Sequence, residues 1–324
     1  MKYRRFGRTG WQVSEIGYGM WGLGGQWSGS DNAEGLRALH RSVELGCNFF
    51  DTAWAYGAGH SERLLSQVIT AHTTTKLYVG TKVPPQNMIW PAQPDHKAHQ
   101  TYPYAHIMDY TKKSQTNLGV ATIDLLQLHV WDDGWAADDG WKRAVEELKK
   151  AKAIEAFGIS VNRWEPTNVL QALQTGLVDA VQVIYNIFDQ SPEDRLFPYC
   201  RKNDIAVIAR VPFDEGTLTG TLTKQTSFPK DDWRSRYFCP ENLNPSVDRA
   251  ERIKKLIPKR RTMPEVALKF ILASSTVSTT IPGMRTVAHV ESNLAASDRR
   301  ELPPDLYGGL RKFRWDRQPT DWSA

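Results

Sequence analysis

The chain has 324 residues, 40% of them hydrophobic and 24% charged, with a formal net charge of +5. This is the composition of a soluble globular protein, no run approaches the ~20 apolar residues that a membrane-spanning helix needs, and Met1-Lys2-Tyr3-Arg4-Arg5-Phe6 has no apolar stretch behind it, which argues against a signal peptide. Three widely spaced cysteines (Cys47, Cys200, Cys239) give neither a disulfide framework nor a zinc spacing and fit a reducing, cytoplasmic compartment, while the densest basic run, Lys259-Arg260-Arg261, lacks the interleaved aromatics of a nucleic-acid reader.

Tyr3 to Phe6 and Trp11 to Val13 flank the turn sequence Gly7-Arg8-Thr9-Gly10 and read as a hairpin. Eight short apolar runs follow: Ile16–Met20, Asn48–Asp51, Leu77–Thr81, Leu125–His129, Ala156–Ser160, Ala180–Ile184, Ala206–Ala209 and Ser278–Ile281. They are mostly unbroken, as parallel strands buried on both faces are. Helical patterns lie between them. Asp31 with Glu34 reads as a capping pair ahead of Leu36, Leu39 and Val43; Ser191-Pro192-Glu193-Asp194 opens a second helix and Thr262-Met263-Pro264-Glu265 a third. Eight βα units with right-handed crossovers predict one domain over residues 1–324, a (β/α)8 TIM barrel. Two stretches interrupt the rhythm, Pro84 to Tyr104 after the third strand and Val211 to about Asp248 after the seventh. Both follow strand C-termini, where a barrel carries its active-site loops.

Gly17-Tyr18-Gly19-Met20-Trp21-Gly22 matches a dinucleotide-binding glycine pattern. That site needs a helix opening at the glycines, with its N-terminus on the pyrophosphate. Leu23-Gly24-Gly25-Gln26-Trp27-Ser28-Gly29 follows instead, a poor helix, so the match is set aside.

The chemistry gathers at three neighbouring strand ends. The second strand runs into Phe50-Asp51-Thr52-Ala53-Trp54-Ala55-Tyr56-Gly57, the third into Gly80-Thr81-Lys82, and the fourth ends in Leu126-Gln127-Leu128-His129. Taken singly, Asp51 reads as a turn residue, Tyr56 as a rim aromatic and His129 as a core histidine; only Lys82, closing an apolar strand, is unusual by itself. As a set they form a proton donor aimed at a carbonyl oxygen. A tyrosine ionises near 10; the Lys82 ammonium, kept charged by Asp51, lowers that value, and His129 orients the oxygen. His96 and His99 lack ligand-spaced partners beyond Asp95, so no metal site is assigned.

The run Phe-Asp-Thr-Ala-x-x-Tyr-Gly at 50–57, Gly59-His60-Ser61-Glu62, Thr81-Lys82, Leu126-Gln127-Leu128-His129, Gly158-Ile159-Ser160 and Ile281-Pro282-Gly283 resembles the aldo-keto reductases from about Tyr3 to Asn293. The resemblance implies hydride transfer between NADPH/NADP⁺ and an aldehyde, ketone or sugar, with Tyr56 as general acid, Asp51 and Lys82 tuning it, and His129 orienting substrate. It implies a cofactor held by Gly19, Met20 and Trp21 after the first strand and by Ser160, Asn162 and Gln182 at the nicotinamide. Arg210, Val211, Pro212, Phe213, Gly216, Thr217 and Leu218 follow on the seventh strand and its clamping loop. Ile281, Gly283, Met284, Arg285, His289 and Asn293 complete the set toward the adenosine, with Arg285 on the 2′-phosphate, where its planar fork suits the group.

The sequence departs from the family at three places. His289 and Ser292 replace charged residues common near the adenine in some branches, which leaves NADPH preference mainly to Arg285. Val161 separates Ser160 from Asn162, and Arg210 stands where many members stack a tyrosine on the nicotinamide. A guanidinium can stack on a flat ring but disfavours the cationic oxidised cofactor, which tilts the expectation toward NADPH over NADP⁺. Trp21, Trp54, Trp90 and Trp131 are expected to wall an aromatic substrate pocket. Two other readings stand beside the reductase: an NADPH-bound regulatory subunit like the potassium-channel β-subunits, and a sugar-modifying redox enzyme. The partner expected is a small-molecule carbonyl or sugar, with neither nucleic acid nor membrane; the oligomeric state stays open.

Overall fold

The computed structural model describes residues 1–24, 31–298 and 300–323. An antiparallel hairpin, β1 (Tyr3–Arg5) and β2 (Gln12–Ser14), precedes eight parallel strands: β3 (Tyr18–Gly19), β4 (Phe49–Asp51), β5 (Tyr78–Val83), β6 (Ile123–Leu128), β7 (Ile154–Ser160), β8 (Ala180–Ile184), β9 (Ala206–Arg210) and β10 (Val277–Thr280). They pair in chain order from β3 to β10. Parallel bridges Ile16↔Thr280 and Gly19↔Gly283 join the last strand to the first, with Gly17 N–H donating to the Thr280 carbonyl (2.8 Å) and Gly19 N–H to that of Pro282 (3.0 Å). The sheet thereby closes as a (β/α)8 barrel.

Two apolar layers hold it. Inside the barrel Phe6, Phe49, Leu125, Ala156, Ala180, Ala206 and Ile208 pack together. Phe6 comes from the hairpin and stacks on Phe49 at 5.3 Å, so the hairpin seals the N-terminal end. Outside, the other faces of the strands pack on the helices, among them Asn32–Glu44, His60–Ala71, Tyr104–Leu118 and Asp139–Lys150. Strands β6 and β8 are buried at every position, which is why their sequences run apolar instead of alternating. With the bottom plugged and the wall packed, the open end is the C-terminal face, where Asp51, Lys82, Gln127 and Gln182 place polar groups inside the barrel.

Several local expectations need correction. The first barrel strand is shorter than Ile16–Met20: Met20 leaves the ladder for a single 3-10 turn, Trp21–Leu23, and residues 25–30, the remainder of the glycine-rich stretch, lie outside the described residues. Asp31 does cap its helix, accepting from Ala33 N–H. Glu34, however, does not close a capping box: it accepts from Val287 N–H (2.9 Å) and pairs with Arg37. Ser191–Glu193 is a 3-10 turn, and the α-helix begins at Leu196. The loop after β9 ends earlier than Asp248, because Pro240 starts a helix that runs to Lys254, as proline at an early helical position allows.

Trp54 and Trp131 do not face the expected pocket. Trp131 is fully buried, edge-on to Trp135 and Trp141. Its indole N–H donates to Asp133 Oδ1 (3.2 Å), and that same carboxylate accepts from the N–H groups of Gln171 and Ala172 at the start of the next helix. A buried indole needs such an acceptor, and Asp133 supplies it on the core side. Trp54 turns outward, edge-on to Tyr110 of helix Tyr104–Leu118 at 4.8 Å. Among the described residues no helix is long and apolar enough to cross a membrane.

Candidate active site

Asp51 is the last residue of β4, and Lys82 sits one residue before the end of β5. Both side chains point into the barrel. Lys82 Nζ donates to Asp51 Oδ1 (2.5 Å) and to the Thr52 carbonyl (2.8 Å), and the ammonium is fully buried. The other carboxylate oxygen, Asp51 Oδ2, accepts from Gln182 Nε2 (2.7 Å) and Gln127 Nε2 (3.2 Å). A buried ion pair is tolerable only when its remaining polar atoms are also satisfied, and the two amides from β6 and β8 do this.

Tyr56 lies in the tight turn after β4. The turn depends on Gly57, whose φ is +68° and where an added Cβ would stand 2.3 Å from the Gly24 carbonyl oxygen. Lys82 Nζ is 5.2 Å from the Tyr56 ring centre, and His129 meets the phenol edge-on at 5.6 Å. The structure thus brings Asp51, Lys82, Tyr56 and His129 to one place. Burial pushes the Tyr56 phenol above its usual 10.0, with Lys82 pulling the other way. The sequence expectation of a net lowering is therefore corrected: the ammonium limits the rise and does not reverse it. His129 is held well below the usual histidine range by burial, then by the charges of Lys82 and Arg210. Its Nδ1 is buried and lacks a hydrogen-bond partner among the described residues.

These groups open onto a cavity of about 980 Å³. Asp51, Tyr56 and His129 line it, and Lys82 lies behind them. All the cofactor positions expected from the resemblance line it too, except Thr217, Leu218 and Met284. Leu218 and Met284 are in the core, and Thr217 is fully buried. Of the four expected tryptophans, Trp21 and Trp90 form walls; Trp90 stands edge-on to His129 at 5.7 Å.

The sequence did not point to several further wall residues, among them Met88, Arg163, Trp233 and Arg234. The last two lie in the long loop after β9, and an adjacent tryptophan and arginine in a predicted active-site loop was a usable signal. Trp233 meets Trp21 at 5.0 Å. Asp232 clasps Arg234 through both carboxylate oxygens. Arg285 has its pKa lowered by burial and then by the nearby Arg234, so two guanidiniums share this end of the cavity.

At the other end, Asn162 Oδ1 is buried and without a partner among the described residues, while its Nδ2 donates to Glu165 Oε2 (3.0 Å). Gln182 spends its amide nitrogen on Asp51, and the Asn162 amide oxygen stands as a buried acceptor beside it. Arg210 donates to the Val161 carbonyl (2.9 Å); burial and then Arg163 bring its pKa down to about 10. Arg163 in turn pairs with Glu215 (2.6 Å) across two loops. That second loop is strained. Val211, Asp214 and Glu215 have φ of 56°, 45° and 57°, and Gly216 has φ of 120°. Each of the three non-glycine residues costs about 1–2 kcal/mol in this region.

A family model described as the Aldo/keto reductase family matches residues 15–314. Among curated proteins, Aldo-keto reductase YhdN of Bacillus subtilis (strain 168) is 26% identical over 301 residues, 90% of this chain and 87% of that protein. An NADH-specific methylglyoxal reductase of Escherichia coli (strain K12) is 27% identical over 310 residues, 91% and 93% of the two chains. Among solved structures, the glycerol dehydrogenase AKR11B4 from Gluconobacter oxydans superposes with a TM-score of 0.79 at 25% identity, covering 99% of this chain and 98% of that one. The holo form of aldo-keto reductase AKR11C1 from Bacillus halodurans gives the same score at 24% identity with full coverage of both, a likeness of fold.

The depressed pKa of His129 has a measurable consequence. Its ring stays neutral in the fold at pH values where an ordinary histidine, ionising at 6.5, is already charged. The unfolded chain then binds the extra proton, so this residue's contribution to stability is lost as pH falls below 6.5 toward the folded value. In a ¹⁵N-labelled sample, the His129 ring resonances are expected not to move between pH 8 and pH 6, and a midpoint near 6.5 would contradict the burial argument.

Proposed function

Since the chain belongs to the aldo/keto reductase family, we propose that it is an NADPH-dependent carbonyl reductase in which Tyr56 delivers the proton. The observation that carries this reading is the buried Asp51–Lys82 pair beneath Tyr56 and His129, at the edge of a cavity large enough for a dinucleotide and a small substrate. Bound nicotinamide supplies the hydride. The chain's own groups do the rest. The phenol keeps its proton at neutral pH, since its pKa lies above 10, and so can act as an acid. As negative charge grows on the carbonyl oxygen, the Lys82 ammonium behind Tyr56 stabilises the phenolate left when the proton departs. Neutral His129 offers a ring nitrogen to the same oxygen and fixes its position.

The cofactor fit rests on three features. Asn162 Oδ1, the orphaned acceptor, suits the carboxamide, with Ser160 beside it in the cavity wall. The strained 211–216 backbone suits a loop that closes over the pyrophosphate. Arg285, joined by Arg234, suits the 2′-phosphate, and this pair supports NADPH over NADH. The Escherichia coli relative is named NADH-specific, so the adenosine end is where this chain and that protein are expected to differ. Arg210 beside the nicotinamide position disfavours a cationic ring and supports use of the reduced form. The three free thiols agree with a cytoplasmic setting. Walls formed by Trp21, Trp90 and Met88 favour flat or apolar carbonyl compounds.

An NADPH-oxidation screen over aldehydes, ketones and sugars tests the reading. Tyr56→Phe is expected to lower kcat by about 10²-fold or more while leaving NADPH affinity within about threefold; turnover that survives the substitution would discard Tyr56 as the acid. Tight NADPH binding without turnover of any compound would point instead to a cofactor-sensing subunit. At the other end of the site, Arg285→Gln is expected to weaken NADPH about 30-fold, equivalent to about 2 kcal/mol for a charge-assisted contact, and to leave NADH affinity unchanged. Equal losses for the two cofactors in a fluorescence titration would remove Arg285 from the 2′-phosphate.

A further inference from the structure

Three loops at the cavity rim are tied to one guanidinium near the end of the chain. Arg317 Nη2 donates to Asp189 Oδ2 (2.7 Å) in the loop after β8 and to Asp214 Oδ1 (2.8 Å) in the loop after β9. All three side chains are buried, at 3%, 5% and 0% exposure. The guanidinium carbon lies 4.5 Å from the Trp164 ring, in the loop after β7, and 4.7 Å from the Trp315 ring. Trp315 is itself pinned by its N–H to the Phe188 carbonyl (2.8 Å). Asn186 supplies a second tie, donating from Nδ2 to Asp189 Oδ2 (2.8 Å) and to the Val211 carbonyl (3.0 Å).

Val211 and Asp214 are two of the left-handed residues of the strained loop. Each is therefore gripped from outside by the same Asp189–Arg317 unit. Further along, Trp322 packs edge-on against Trp164 and Tyr237, Arg236 donates to the Asp321 carbonyl, and Ser323 reaches the cavity wall. The family match ends at residue 314, so nothing in that match assigns Arg317.

We propose that Arg317 is a positioning residue for cofactor binding: through Asp214 and Asp189 it holds the 211–216 backbone in the strained shape that grips the dinucleotide. The proposal rests on the reading that this loop clamps the cofactor. Backbone in the left-handed region relaxes unless its surroundings over-determine it, and the buried triad is what over-determines it here. Burial works against the charge on Arg317, yet the two carboxylates outweigh that cost and raise its pKa well above the ordinary value, so the guanidinium stays charged inside the cluster. A buried ion cluster is a weak device for stability, since apolar packing often does as well. What it supplies here is one fixed geometry for a loop that has to be preorganised.

The test uses the full chain with NADPH titrated by fluorescence and with kcat measured at saturating NADPH. Asp214→Asn and Arg317→Met are expected to weaken NADPH about tenfold or more while kcat stays within about threefold. Arg317→Lys is expected to recover most of the affinity, because a single donor nitrogen serves both carboxylates. Asp214→Asn keeps Arg317 paired with Asp189 and so covers the case in which Arg317→Met fails to fold. Unchanged NADPH affinity in folded Asp214→Asn overturns the proposal, as does a fall in kcat at saturating NADPH that tracks a fall in Tm. Gly216→Val separates this claim from the reading beneath it. If Gly216→Val weakens NADPH and Asp214→Asn does not, only the role of Arg317 is lost; if Gly216→Val leaves NADPH unaffected, the loop is not the clamp.

Discussion

The Lys82 ammonium and the Asp51 carboxylate, 2.5 Å apart, set the terms for the rest of the cavity. Two charges taken this far from water cost several kcal/mol each unless their geometry is good and their other polar atoms are satisfied. The barrel meets both conditions. The Thr52 carbonyl accepts a second ammonium proton, and amides from β6 and β8 occupy the second carboxylate oxygen. Four strands therefore contribute to one small polar knot, and that knot leaves a positive charge behind Tyr56. The same charge helps to keep His129 neutral, so one ion pair acts on both Tyr56 and His129.

A closed barrel makes this arrangement possible. The hairpin seals one end and the parallel strands bring eight C-termini to the other, so residues distant in sequence share one mouth. The loops then specialise. The turn after β4 presents the phenol, the loop after β5 brings Trp90 against His129, and the loop after β9 carries backbone strain. The strain is sustained by contacts from outside the loop, the Arg163–Glu215 pair and the Arg317 triad. The polar knot at the strand ends and the strained loop thus rest on different buried charge clusters.

The Asp51–Lys82 pair was legible in the sequence because both residues close apolar strands, a place where a charged side chain has few other uses; that Gln127 and Gln182 brace the carboxylate was not. The barrel was legible for a related reason, since strands buried on both faces read as unbroken apolar runs. What could not be read was the direction of side chains in the loops. Trp54 and Trp131 belong to loops that rise from the right strand ends, yet one leans on helix Tyr104–Leu118 and the other turns inward to Asp133. Met284 and Leu218 share motifs with cavity residues but fill the core. The net pKa of Tyr56 depends on how much burial opposes Lys82, which no spacing encodes. Arg317 was invisible because its partners lie 128 and 103 residues away, and nothing local distinguishes it from the other arginines of the tail.

The central claim is that the ammonium behind Tyr56 makes the phenol a usable proton donor and acceptor. The most direct measurement runs the reaction toward alcohol oxidation, where Tyr56 has to be ionised, and follows kcat against pH in the native chain and in Lys82→Met. Loss of the ammonium is expected to move the ascending limb, where the phenol gives up its proton, upward by at least about one pH unit, the effect of a nearby opposite charge on the phenolate. A limb that stays at the same pH, with only the overall rate reduced, would contradict the account.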